Sequence, residues 1–217
     1  MEPLEALNAI ASKIAGCTRC ELSFSRKNAV PGEGPVDSQV MFIGEGPGFF
    51  ENEQGRPFVG QAGKFLEELL EMNGLKREQV FITNVVKCRP PGNRDPLPGE
   101  LTACNDFLDR QIGVINPRVI VTLGRYSMAK FLPGARISDI HGQAAWIHGR
   151  LVVPMYHPAA ALHQPSLKPQ LEKDFGKLQD FIQQARQNGG ISQSTEQIDT
   201  APVPEKPAED ATQLKLF

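Results

Sequence analysis

Apolar residues along the chain follow two alternating rhythms. Leu4, Leu7, Ile10 and Ile14 recur at helical spacing up to Gly16, which predicts a first helix closed by that glycine and leading to Cys17. Residues 39–43 read as a buried strand, and Gly44-Glu45-Gly46-Pro47-Gly48 follows at once as a turn. Phe65, Leu66, Leu69 and Leu70 then make one apolar helical face, ended by Gly74. The alternation repeats with a β-branched run over 80–86, helical spacing of Leu101, Leu108, Ile112 and Ile115, and a strand over 119–123. A helix over 126–131, a strand over 151–154 and a last helix over 170–185 complete it. The pattern predicts an α/β fold, three αβα layers with a central, mostly parallel four-stranded sheet. Ligands of such sheets bind where loops leave the carboxyl ends of the strands. The loops over 44–60, 84–98 and 156–166 are therefore expected side by side at the functional end.

Composition narrows the picture. A chain of 217 residues, 40% of them hydrophobic, suffices for one buried core, placed here over 1–187. Beyond it the residues turn to Gly, Ser, Gln, Pro and acid, so 188–212 are expected to form a disordered linker. No stretch approaches the ~20 apolar residues of a membrane helix. The chain opens Met1-Glu2-Pro3 with acidic Glu2 and Glu5 where a basic leader would stand, and a cytoplasmic, nucleoid-associated monomer without membrane contact is the expectation. Lysine and arginine number 23 against 25 acids, so no global positive field announces a nucleic-acid partner. The tail holds five acids (Glu196, Asp199, Glu205, Glu209, Asp210) against two bases (Lys206, Lys215), leaving the body near neutral. Affinity for DNA has to come from a local patch. The four cysteines are expected to stay reduced. Cys17 and Cys20 are close enough to share a metal centre, whereas Cys88 and Cys104 are separated by fifteen residues and lie far from that pair. Spacing alone leaves a four-cysteine zinc site, an iron-sulfur cluster and unrelated buried thiols equally open.

Four separated motifs change this. They are the glycine-rich run from Gly44 through Glu51 to Gly55-Arg56-Pro57-Phe58-Val59-Gly60, the segment Ile82-Thr83-Asn84-Val85-Val86-Lys87-Cys88-Arg89-Pro90, the Cys17/Cys20 pair, and Met155-Tyr156-His157-Pro158-Ala159. In order and spacing the chain resembles the family 4 uracil-DNA glycosylases, the iron-sulfur branch of that superfamily. The resemblance implies a catalytic domain over 1–187 that flips uracil out of DNA and hydrolyses its N-glycosidic bond to leave an abasic site, initiating base excision repair. It implies one [4Fe-4S] cluster on Cys17, Cys20, Cys88 and Cys104, and no nucleotide cofactor.

By the same resemblance Phe58 stacks on the uracil, Gly46 lines its pocket, Asn84 reads its polar edge, and His157 stabilises negative charge at O2. Glu45 positions the water, with Glu51 as rival. In family 1 enzymes an aspartate follows the residue matching Glu45; Gly46 stands there in this chain. Lys64, Lys87, Arg89 and Arg94 are expected to contact phosphates, and Leu162 to wedge into the duplex. The substrates implied are single-stranded, G:U and A:U DNA. His141, His148 and His163 carry no such motif and read as ordinary loop histidines. Gln213, Leu214, Leu216 and Phe217 end the chain in a peptide over 213–217 that resembles the Gln-Leu-x-Leu-Phe ligand of the bacterial sliding clamp. Two rivals remain: a relative that traps uracil-DNA covalently or acts on another damaged base such as hypoxanthine, and a non-catalytic iron-sulfur sensor. Against the trapping relative, Arg89-Pro90-Pro91-Gly92-Asn93-Arg94 contains no basic, histidine-bearing insertion.

Overall fold

A computed structural model describes residues 2–188; the linker and clamp-peptide expectations, bar Asn188, lie outside them. The chain runs through helices α1 (Pro3–Ala15) and α2 (Leu22–Ser25), strand β1 (Val40–Gly44), α3 (Phe49–Gln54), α4 (Gln61–Glu71), β2 (Phe81–Asn84) and α5 (Pro98–Ile115). It continues with β3 (Val119–Leu123), α6 (Arg125–Phe131), α7 (Ile137–Ile140), β4 (Ala145–Ile147), β5 (Arg150–Met155), α8 (Pro158–His163), α9 (Lys168–Phe175) and α10 (Leu178–Gln187). The sheet order is β2-β1-β3-β5-β4, with every pairing parallel except β4 on β5.

Alternation along the strands divides the core into two layers. Val40, Phe42, Val119, Val121, Leu151 and Val153 face α4, α9 and α10, where Phe42 stacks on Phe175 with centroids 6.2 Å apart. Met41, Ile43, Ile120 and Val152 face Leu7 of α1 and Leu108, Ile112 and Ile115 of α5. Helices therefore cover both faces, as a parallel sheet requires.

Three expectations need correction. The sheet has five strands, since β4 and β5 form a hairpin through His148 and Gly149, whose φ values of +47° and +73° match the primed two-residue turn that suits twisted strands. The last helix is two, broken at Gly176 and Lys177. Gly16 closes α1 as expected, with φ −88° outside the left-handed region, but Leu4 of the apolar stripe stays exposed.

A fourth correction concerns Lys87. Its side chain is buried, and Nζ donates to Thr83 Oγ1 (2.6 Å), the Asn84 carbonyl (2.8 Å) and Gln111 Oε1 (2.7 Å). All three donors of the ammonium are used, so Lys87 braces β2 against α5 and is not available to a phosphate. Replacing it with alanine should cost about 2–4 kcal/mol, because several buried acceptors lose their donor at once. Urea unfolding reads the loss, and a change below about 0.5 kcal/mol, the size of an ordinary surface substitution, would return the amine to the surface.

Candidate active site

Parallel pairing of β1 with β2 sets Gly44 directly beside Asn84 at the carboxyl ends of both strands. A Cβ on Gly44 would lie 2.4 Å from Asn84 Oδ1 and 2.7 Å from Phe58 Cζ. The absent side chain is the space in which the amide and the ring meet. Phe58 in turn lies nearly parallel to His157, with centroids 5.4 Å apart and planes at 25°. Three residues drawn from three loops thus form one cluster. Asn84 is 1% exposed, and its Oδ1 has no hydrogen-bond partner among the described residues. An orphaned buried acceptor costs about 1–3 kcal/mol, and it suits a ligand that brings a donor.

His157 follows β5 and caps α8, where its Nδ1 accepts from the Ala159 N–H at 3.1 Å. Packing around the ring pushes its pKa down to about 4, with the charge of Glu51 only partly opposing the fall. The imidazole is therefore neutral at pH 7, and a neutral ring that accepts at Nδ1 carries its proton on Nε2. It is a hydrogen-bond donor without formal charge.

Phe58 itself sits in the left-handed region at φ +50°, a conformation that costs of order 1–3 kcal/mol in a residue other than glycine. The surroundings hold it there. Arg77 donates to the Phe58 carbonyl at 2.9 Å and to the Pro57 carbonyl, while also pairing with Glu33 and Glu67. Arg56 grips Glu33 through two bonds of 2.6 and 2.7 Å. Gly63 lets α4 approach, since a Cβ there would fall 1.9 Å from the Phe58 carbonyl oxygen. Arg77 carried no motif signal; its only sequence cue is a lone arginine just before β2.

The two carboxylates have different occupations. Glu51 is buried, and its Oε1 accepts the N–H groups of Val59 and Gly60, both at 2.9 Å. It fastens the turn that carries Phe58. Glu45 makes no such bond among the described residues and is pushed up to about 7 by burial and by the nearby charge of Asp95, with Arg125 pulling the other way. Arg125 and Asp95 form an ion pair at the start of α6, and the guanidinium lies 4.8 Å from the Tyr126 ring centre. Sequence reading passed over this pair, which only the meeting of α6 with the 84–98 loop creates.

Gly46 packs the loop against β2's extension, where a Cβ would meet Val86 Cγ2 at 2.8 Å. Lys64 is exposed on α4, and Leu162 is 48% exposed on α8. Arg89 donates to Asn93 Oδ1 at 2.8 Å. Arg94 spends its fork on Glu100 (2.7 and 2.9 Å), whose carboxylate also takes the Leu97 N–H at the start of α5. The pairing seats that helix while the Arg94 side chain stays 38% exposed.

Cys17, Cys20, Cys88 and Cys104 line one small cavity, partly open to solvent, alongside Ile14, Ser23, Arg26 and Phe107. All four are free thiols. Arg26 Nη1 donates to Cys88 Sγ at 3.1 Å, and the Arg19 N–H to Cys17 Sγ at 3.5 Å. Burial pushes the Cys88 and Cys104 thiols up, a cost that a positive centre would remove. No group of three or more metal-type side chains among the described residues is arranged for a single ion.

Comparison with known proteins agrees with this geometry. The family model of the uracil DNA glycosylase superfamily matches residues 31–183. Type-4 uracil-DNA glycosylases are similar to the chain: that of Saccharolobus solfataricus is 48% identical over 189 residues, covering 82% of this chain and 88% of that protein. That of Sulfurisphaera tokodaii is 47% identical over 188 residues (82% and 86%), and that of Thermotoga maritima 44% over 183 residues (82% and 95%). Matched in this way over most of its length, and with Phe58, Asn84 and His157 gathered at one end of its sheet, the chain belongs to the uracil DNA glycosylase superfamily and to its type-4 branch.

Proposed function

We propose that the protein is a monofunctional uracil-DNA glycosylase that extrudes uracil from single-stranded, G:U or A:U DNA and hydrolyses its N-glycosidic bond. The observation that carries this reading is the unpartnered Asn84 Oδ1 held against the Phe58 ring. Uracil presents N3–H to that oxygen and O4 to the amide N–H, whereas cytosine reverses the polarity at both positions. Buried mismatches of that kind reject an analogue far better than size does. Phe58 adds stacking of ~1–3 kcal/mol, which any base can use.

Chemistry follows from the charge states. As the C1′–N1 bond breaks, its electron pair leaves with the uracil ring, and His157 Nε2–H donates to O2 where the negative charge gathers. A water oxygen bonds to C1′, and its proton passes to the Glu45 carboxylate. Glu45 can accept only when ionised, so kcat/KM should climb with pH up to about 7 and level off above it. His157 is already neutral across that range and adds no limb of its own. A flat profile from pH 5 to 8, or a rising limb that persists in Glu45→Gln, would remove Glu45 from the proton-accepting role. Alkaline cleavage of uracil-bearing oligonucleotides tests the reaction itself. Asn84→Ala and His157→Ala should each lose at least about a hundredfold in rate with folding intact, and near-normal turnover in either would strike that residue from the mechanism.

The four cysteines suit a [4Fe-4S] cluster, because the donor set is all sulfur around one cavity and the resemblance to the iron-sulfur branch favours a cluster over zinc. Such a centre would tie α1 and the segment before α2 to the segment after β2 and to α5, supplying folding energy. Four irons per chain and a broad visible absorbance are expected; one zinc and no iron would overturn the assignment. We also assign Gln213, Leu214, Leu216 and Phe217 to docking on a bacterial sliding clamp. Deleting 213–217 should abolish clamp pull-down and leave turnover on short oligonucleotides unchanged.

A further inference from the structure

Helix α3 is built inside out. Glu51 and Asn52 are buried, while Phe49 and Phe50 at its start are 52% and 54% exposed. An isolated exposed apolar residue is ordinary, but a short helix that turns its polar residues inward and two adjacent aromatics outward reverses the usual pattern. Both inward side chains hold backbone N–H groups. Glu51 holds the Val59 and Gly60 N–H groups, and Asn52 Oδ1 accepts the Lys27 N–H at 2.9 Å. The outward rings meet edge to face with centroids 5.5 Å apart.

Their position is specific. Phe50 Cδ2 comes within 3.4 Å of where a Cβ on Gly60 would stand, at the end of the turn that carries Phe58. Arg89, on the far side of the same loop cluster, places its guanidinium 5.3 Å from the centre of the Phe49 ring. Its Nε is held by Asn93 Oδ1, and among the described residues its terminal nitrogens bond to no protein group. Two aromatic rings and a cation therefore stand together beside the turn that Glu51 fastens.

We propose that Phe49 and Phe50, with Arg89, form a stacking platform for the nucleobases of single-stranded DNA next to the extruded uracil. This inference rests on the reading of the chain as an enzyme acting on DNA. A strand that delivers one nucleotide into the pocket must run its neighbours across the rim, and unpaired neighbours have free faces to stack. Rings meet the bases and the guanidinium meets the intervening phosphate, the combination that sequence-tolerant single-strand binders use. Duplex DNA keeps those neighbours stacked on one another, so the platform favours single strands.

The test uses the full chain with a labelled single-stranded oligonucleotide free of uracil, so that no turnover intervenes. Fluorescence anisotropy should show the Phe49→Ala/Phe50→Ala variant binding about tenfold more weakly, with Phe49→Tyr/Phe50→Tyr within about twofold of the parent, since a phenol ring stacks as well as phenyl. A 2-aminopurine placed beside a tetrahydrofuran abasic analogue should be quenched on binding by the parent and not by the double alanine variant. Affinity within about twofold of the parent, with quenching intact, would overturn the platform. Loss of self-association in sedimentation without loss of DNA affinity would assign the rings to a second copy of the chain and likewise overturn it. If the parent quenches and binds in this way yet releases no uracil, the glycosylase reading fails and the platform stands.

Discussion

Two parallel strands end level with each other, and the first ends in a residue with no side chain. Gly44 leaves the room in which Asn84 and Phe58 converge, and the rest of the site is arranged around that gap. Filling it with a single methyl group would push an amide oxygen and an aromatic ring at once, in a core too closely packed to absorb the shift. The helical layers matter to function chiefly because they hold these two strand ends in register.

Burial supplies the chemistry as well as the shape. Removing water from the site raises Glu45 and lowers His157, so both groups sit in their uncharged forms more readily than they would in solvent. The two shifts act on stability in opposite senses. Glu45, raised when folded, favours the native state below its unfolded value, and that contribution is lost as pH rises through about 7. His157, lowered when folded, favours the native state above its unfolded value, and its contribution is lost as pH falls through about 4. The site also carries a left-handed phenylalanine and an unpaired acceptor. Strain and unmet polarity concentrated in one place are what a binding site pays for in stability, and the Arg77 network with the Glu51 clamp is what restrains them.

Much of this was legible in the residues. The β-branched runs gave β1, β3 and β5 almost to the residue, because strands buried on both faces leave continuous apolar signals. The rule that ligands collect at the carboxyl ends of strands places Phe58, Asn84 and His157 at one end from the sequence alone. Other features had no local trace. Lys87 reads as a surface charge, and one of the three acceptors that make its burial tolerable, Gln111, comes from a helix more than twenty residues away. Strand β4 is three residues long and lies at the sheet edge with Trp146 exposed, so it lacks the alternation that marks a half-buried strand. The break between α9 and α10 turns on Gly176, which a helical periodicity spans without notice. Arg77, Asp95 and Arg125 acquire meaning only from the contacts that tertiary folding brings.

The amine beneath Asn84 has a consequence for how such a scaffold can change. Lys87 grips the backbone carbonyl of Asn84, and the sheet pairs the same residue with Gly44, so the main chain at that position is fixed independently of the side chain it bears. The slot behaves like a type-holder in a press, keeping its alignment whichever letter is set in it. A lineage could therefore explore new base preferences by exchanging one residue, without first having to rebuild the fold that presents it.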